Sequence, residues 1–306
     1  MLTHPAGAAG TPTARPLFIA QGSHHLFAWH HPARPSVRRG AAVVLCPSIG
    51  GEFVAAYRVW RCLAEQLAAL GFDVIRFDYE GTGDSFGDLG ESKRIHAWLH
   101  NIERALITAR LITGSNHVAL VGLRIGAILA AHAAAATGGV ERLVLWSPCL
   151  SGRAYIRELK ALGQLSREDH TTIDESPDIL AAGYVLPASV AADLERLDFK
   201  TIGGCPAPEV LTVDRDDRPT DPRIGECLAD LGSCVTRIRP AGTAATLEGS
   251  MLTLPIGVVD AITQWLDGWR VNSSCRVDGE APVHLGSAVV HGCGYHQRAV
   301  RFGTDD

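Results

Sequence analysis

Apolar positions along this 306-residue chain fall into short runs separated by longer stretches of helical period. Ala41 to Leu45, Val74 to Phe77, Val118 to Val121, Leu143 to Trp146, Glu209 to Val213 and Cys234 to Arg239 read as strands. Runs this short and this apolar suit strands buried on both faces. Between them the 3.6-residue period predicts helices over Tyr57 to Leu70, which stops at Gly71, and over 92 to 112. Further helices are expected over 152 to 165, 188 to 197, Gly225 to Leu231 and Ile256 to Trp269. Strand followed by helix, repeated, means right-handed crossovers and a mostly parallel sheet with helices on both faces. Ahead of this series, Arg15 to Ala20 and Leu26 to His30 flank Gly22-Ser23 and predict an opening hairpin.

The rhythm divides the chain. Residues 1 to 13 are expected to be disordered, 14 to 270 to form one α/β domain, and 271 to 306 to be a tail. Within the domain, 147 to 208 contains two helices and no predicted strand. An insertion at the carboxyl edge of a parallel sheet is placed to roof a ligand crevice and exclude water.

A 46% hydrophobic and 20% charged composition can bury a sizeable core, and the net charge of −5 gives no electrostatic reason to expect nucleic acid or an anionic membrane. Eight scattered cysteines (Cys46, Cys62, Cys149, Cys205, Cys227, Cys234, Cys275 and Cys293) show no zinc spacing and suit reduced thiols. The start of the chain lacks the basic and apolar segments of a signal peptide. Residues 118 to 136 are apolar, but Arg124 and His132 and the strand-turn-helix punctuation argue against a membrane span. The expectation is a cytoplasmic protein. His24, His25, His30 and His31 crowd the hairpin, but alternation splits them between its two faces and no carboxylate or cysteine lies close in sequence. No metal or cofactor is expected.

Chemistry concentrates in HVALVGLRIGAILAA, residues 117 to 131. A buried strand, a tight Gly122-Leu123-Arg124-Ile125-Gly126 turn and an Ala-rich helix have the layout of a nucleophile elbow. The residue at its apex is Arg124, whose guanidinium stays protonated and cannot attack a carbonyl.

Five stretches together resemble the α/β-hydrolase superfamily: CPSIGGEFVAAYR (46–58), GFDVIRFDYEGTGDS (71–85), VGLRIGA (121–127), LWSPCLSGRAYIREL (145–159) and VDRDDRP (213–219). More narrowly, they resemble its serine-aminopeptidase-like branch, which includes hydrolases associated with exosortase and exopolysaccharide gene clusters. Members of that branch also carry Gly-Leu-Arg-x-Gly at the elbow. The resemblance implies an α/β-hydrolase fold with a helical lid, a Ser–acid–His order and two oxyanion-binding amides. In this sequence the nucleophile position holds Arg124, and the acid position holds Asp217, with Asp216 as second choice. The histidine should fall within 240 to 255, which contains no His; Ser250 stands near the expected place. The amides would come from Ile125 and from the Ser48–Ile49 turn. Ser48, in that turn, and Cys46, at the end of its strand, are candidate displaced nucleophiles, but nothing local supplies a base, and Ser85 reads as a turn residue.

Two functions follow. The first is a pseudo-hydrolase that binds a small anionic or acylated ligand, or a partner, with Arg124 either meeting the anion or paired internally with Asp217, Glu52 or Asp78. The alternative is a hydrolase or acyl-transfer enzyme for an ester, thioester or amide that uses non-standard residues. In the tail, 297–306 can be laid ungapped over 14–23, so that 271–286 reads as a linker and 287–306 as the start of a second, truncated unit.

Overall fold

A computed structural model of the chain describes residues 12–21, 24–91, 93–167, 177–219, 221–244 and 254–271. The expected disorder of the first residues and the second-unit reading of the tail therefore fall on 1–11 and 272–306, outside the described residues, and so does Ser250.

Among the described residues eight strands form one sheet. In chain order they are β1 (Arg15–Gln21), β2 (His24–His31), β3 (Ala42–Cys46), β4 (Asp73–Phe77), β5 (Val118–Leu123), β6 (Arg142–Trp146), β9 (Glu209–Val213) and β10 (Cys234–Ile238). Their spatial order is β1-β2-β4-β3-β5-β6-β9-β10. The first two joins are antiparallel and all later ones parallel. The elbow strand β5 lies near the centre, between β3 and β6, and all six of its residues are buried. Each buried Val or Leu of such a strand contributes about 1.5–3 kcal/mol.

Two apolar layers flank the sheet. On one side α1 (Gly50–Ala69) and α7 (Ile256–Asp267) bury Trp60, Leu63, Ile262 and Leu266 against Val43, Val121 and Val144. On the other, α2 (Arg94–Thr113), α3 (Ile125–Thr137) and α6 (Arg223–Asp230) pack Trp98, Ile128 and Leu228 over Val44, Leu120 and Leu143. Alternate residues of each parallel strand thus feed opposite layers, as the pleat requires. This is the α/β-hydrolase fold.

The insertion contains α4 (Gly152–Arg167) and α5 (Ala188–Leu194) and also a hairpin that the periodicity does not reveal, β7 (Ile179–Ala181) with β8 (Tyr184–Leu186). Its two-residue turn, Ala182-Gly183, has positive φ at both positions, 50° and 76°, which matches the twist of a tight hairpin. Three-residue strands are too short to show an alternation, hence the difference. α1 begins seven residues before the expected Tyr57, because Gly50 and Gly51 read as loop residues while Glu52 favours a helix start.

The hairpin histidines find partners from distant strands. His30 Nε2 lies 2.8 Å from Oδ1 of the buried Asp73, a carboxylate distant in sequence that β4 brings beside the hairpin. His31 Nε2 accepts from Arg76 Nε at 3.0 Å. No helix among the described residues is long and apolar enough to cross a membrane.

Candidate functional site

β5 ends at the elbow. Gly122 and Gly126 are fixed by space: a Cβ on Gly122 would sit 2.5 Å from Ala127 Cα, and one on Gly126 would sit 2.2 Å from the Pro47 carbonyl oxygen. The second contact presses the elbow onto the 46–49 loop. Between the glycines Arg124 caps α3 at φ 55° and ψ −117°, a conformation that non-glycine residues hold only under constraint. Its amide donates to Trp146 O at 3.0 Å, and its carbonyl accepts from Ala127 at 3.1 Å.

The guanidinium is 4% exposed and fully engaged. Nε donates to Glu52 Oε1 at 2.9 Å, a second nitrogen donates to Glu158 Oε2, and the third reaches the Ser147 carbonyl at 3.4 Å. The charge also lies 5.8 Å from the centre of the Tyr155 ring. Burial alone would depress its pKa, yet the neighbouring Cys149, Glu52 and Glu158 together raise it well above the ordinary arginine value. Glu158 extends the chain of charges, accepting also from Arg218. Burial pushes the Glu158 carboxyl up, but Arg124 and Arg218 outweigh it and hold it below the usual range. At the other end Ser48 Oγ donates to Glu52 Oε2 at 2.5 Å. The Tyr155 phenol is 1% exposed, and burial drives its pKa well up.

The acid position behaves differently from the expectation. Asp217 is exposed and forms a bidentate pair with Arg215, at 2.6 and 2.8 Å, rather than with Arg124. Asp216 accepts from the backbone amides of Gly242 at 2.6 Å and Ala244 at 2.8 Å, which lower its pKa. A carboxylate at the acid position therefore grips the backbone of the very loop in which a histidine would stand. Asp78 is not among the residues hydrogen-bonded to Arg124; it holds Asp84 N at 3.0 Å, while Ser85 Oγ donates to the Asp78 carbonyl at 2.6 Å and pins that turn.

Ser48 and Ile49 face the elbow across the Pro47–Gly126 contact. Ile125 is the first residue of α3, so its N–H has no acceptor within the helix. Neither buried thiol near the elbow is a ready nucleophile: burial raises Cys46 far above the ordinary thiol value and Cys149 to about 12.

Above this floor opens a cavity of about 730 Å³. Leu159, Leu162 and Leu165 of α4 and Ile179 and Leu186 of the hairpin form an apolar wall, with Arg215 and Arg218 at the polar end. Sequence reasoning missed Tyr155, Glu158, Arg215 and Arg218 as members of the site. They lie inside two of the stretches that carry the resemblance, 145–159 and 213–219, and that position was the available signal. Among the described residues no group of three or more His, Cys, Asp or Glu could hold a metal ion.

The pattern of the family described as serine aminopeptidase, S33, matches residues 37–175. No curated protein matches the chain in sequence. Solved structures similar to it include DcsB in complex with its substrate analogue, at 16% identity and TM-score 0.59, over 83% of this chain and 99% of that one. The α/β hydrolase GrgF from Penicillium sp. sh18 is similar at 16% identity and TM-score 0.60, over 84% of this chain and 97% of that one. Est1E from Butyrivibrio proteoclasticus, with ferulic acid bound, is similar at 16% identity and TM-score 0.56, over 82% and 97%. By the order and direction of its strands the chain has the α/β-hydrolase fold, and over 37–175 it is similar to the serine aminopeptidase family.

Proposed function

We propose that the protein is a pseudo-hydrolase that holds an acylated ligand under the insertion, with the acyl part on the leucine wall and the polar head toward Arg124. One observation carries this reading. The elbow apex holds a buried cation neutralised by two carboxylates, where triad hydrolysis needs an exposed nucleophile. The wall accepts a chain, and Arg215 and Arg218, paired with Asp217 and Glu158, make the end of the cavity polar enough for the ligand's head. The cavity has the size of ordinary small-molecule sites. No nucleic acid, membrane or cofactor enters this reading, and the location we propose is cytoplasmic.

A second reading, hydrolysis or acyl transfer on an ester, thioester or amide, draws support from two facts. The fold neighbours include an α/β hydrolase and a protein with ferulic acid bound, and Ser48 is hydrogen-bonded to a carboxylate beside the oxyanion-type amides of Ile49 and Ile125. Labelling with a fluorophosphonate, together with calorimetric titration of dodecanoate, separates the two. Saturable dodecanoate binding without labelling is expected. Stoichiometric labelling mapped to Ser48 would replace the first reading by the second.

A further inference from the structure

Helix α4 has two working faces. At 100° per residue, Tyr155, Glu158, Leu159, Leu162 and Leu165 cluster on the side that lines the cavity above the elbow, while Arg153 and Arg157 point the opposite way. On that other side lies a separate hollow of about 380 Å³. Its cations are Arg153, Arg157, Lys200 and Arg223, and its apolar lining includes Leu150, Phe199 and Ile224.

The charges are unevenly matched. Arg223 is committed to Asp221 through a bidentate pair, with contacts of 2.5 and 2.9 Å. Asp198, the carboxylate in the lining, accepts from the Lys200 amide at 3.0 Å and so caps the short 199–201 turn. Among the described residues no carboxylate lies within ion-pair distance of Arg153, Arg157 or the Lys200 ammonium. Three cations with no carboxylate partner among the described residues thus face one concavity in a chain whose net charge is −5.

The placement costs helix stability. Like charges at i and i+4 repel by a few tenths of a kcal/mol, and Arg153 in the first turn opposes the helix dipole there. α4 carries no acidic residue in that turn to offset it. Local choices that work against the fold mark functional positions.

We propose that this hollow binds a phosphorylated small molecule, with its phosphate held by Arg153, Arg157 and Lys200 and its organic part against Leu150, Phe199 and Ile224. A phosphate dianion offers three oxygens for two guanidiniums and an ammonium, whereas a carboxylate offers two. The concave, apolar-floored shape suits a compact ligand. This site is independent of the function proposed for the cavity on the other face of α4.

Calorimetric titration of the full chain with phenyl phosphate, inorganic phosphate and benzoate at low salt tests the proposal. Saturable 1:1 binding of phenyl phosphate is expected, tighter than either of the other probes and weakened by added salt. Arg153→Ala with Arg157→Ala should lower its affinity by about tenfold or more, the scale of a lost charge-assisted hydrogen bond. Both side chains are exposed, so the variant should keep its circular dichroism and melting temperature. Arg196→Ala, which removes an exposed cation outside the hollow, should change nothing. Absence of saturable binding, equal binding of benzoate, or equal loss from Arg196→Ala would each overturn the proposal.

Discussion

Arg124 Nε donates to Glu52 Oε1 at 2.9 Å, joining the elbow apex to the first turn of α1. Both groups are largely out of water, with side-chain exposures of 4% and 13%. Removing one member of such a pair leaves an uncompensated charge, so Glu52→Gln should cost about 3 kcal/mol, the lower end for broken buried pairs, because Glu158 remains. Urea denaturation of parent and variant checks this. A difference smaller than about 0.5 kcal/mol, within the range of ordinary surface changes, would show that the pair carries no structural role.

Arg124→Ser should not create an esterase. The new hydroxyl would stand at the apex, but Asp216 is bound to the backbone of Gly242 and Ala244, and 240–255 contains no histidine to activate it. Hydrolysis of p-nitrophenyl acetate should stay near the parent rate. A rise of about a hundredfold, the scale of general-base assistance, would reveal a base supplied from elsewhere.

The fold could be read from the sequence because each core strand is a short apolar run and each run is followed by a helical period. Burial on both faces writes that pattern directly into residues such as Val118 to Val121. The site was legible only by position. Arg124 stands out because a glycine-framed turn surrounds it, but its partners Glu52 and Glu158 come from α1 and from the insertion. Nothing in the periodicity of α4 distinguishes Glu158, which meets Arg124 and Arg218, from a solvated helix residue. Of the three acids considered as internal partners of Arg124, Glu52 is the one it meets, while Asp217 is held by Arg215, two residues away.

Stability should fall as the pH drops below about 6.5, the ordinary histidine value. Burial, helped by Arg76, holds His31 down at about 3 in the folded protein. The unfolded chain therefore takes up this proton first, so the contribution is complete above about 6.5 and is lost progressively toward 3. His132, lowered mainly by burial, acts in the same direction. His31→Gln keeps an acceptor for Arg76 but does not titrate. Its denaturation free energy should change less between pH 7 and 5 than that of the parent, whose slope can reach about 1.4 kcal/mol per pH unit for each such group. Identical slopes would remove His31 from the account.

The hairpin of the insertion rests on the start of α1 through Gly50. A Cβ on Gly50 would lie 2.7 Å from Cδ1 of Tyr184, and the residue has φ 61°, where an L side chain is strained. Gly51 is nearly as close, with its Cβ position 3.1 Å from Cβ of Ala182. Gly50→Ala should therefore act twice, straining α1 at its first residue and pushing β8 away from the cavity. The strain should destabilise the protein by more than about 1 kcal/mol, the usual gain from Gly→Ala being reversed at positive φ. Displacing Tyr184 and Leu186, which line the cavity, should weaken dodecanoate binding as well. A hairpin that tolerates the methyl group would give unchanged affinity together with lower stability. That result would mean the contact positions α1 alone and leaves the cavity wall in place.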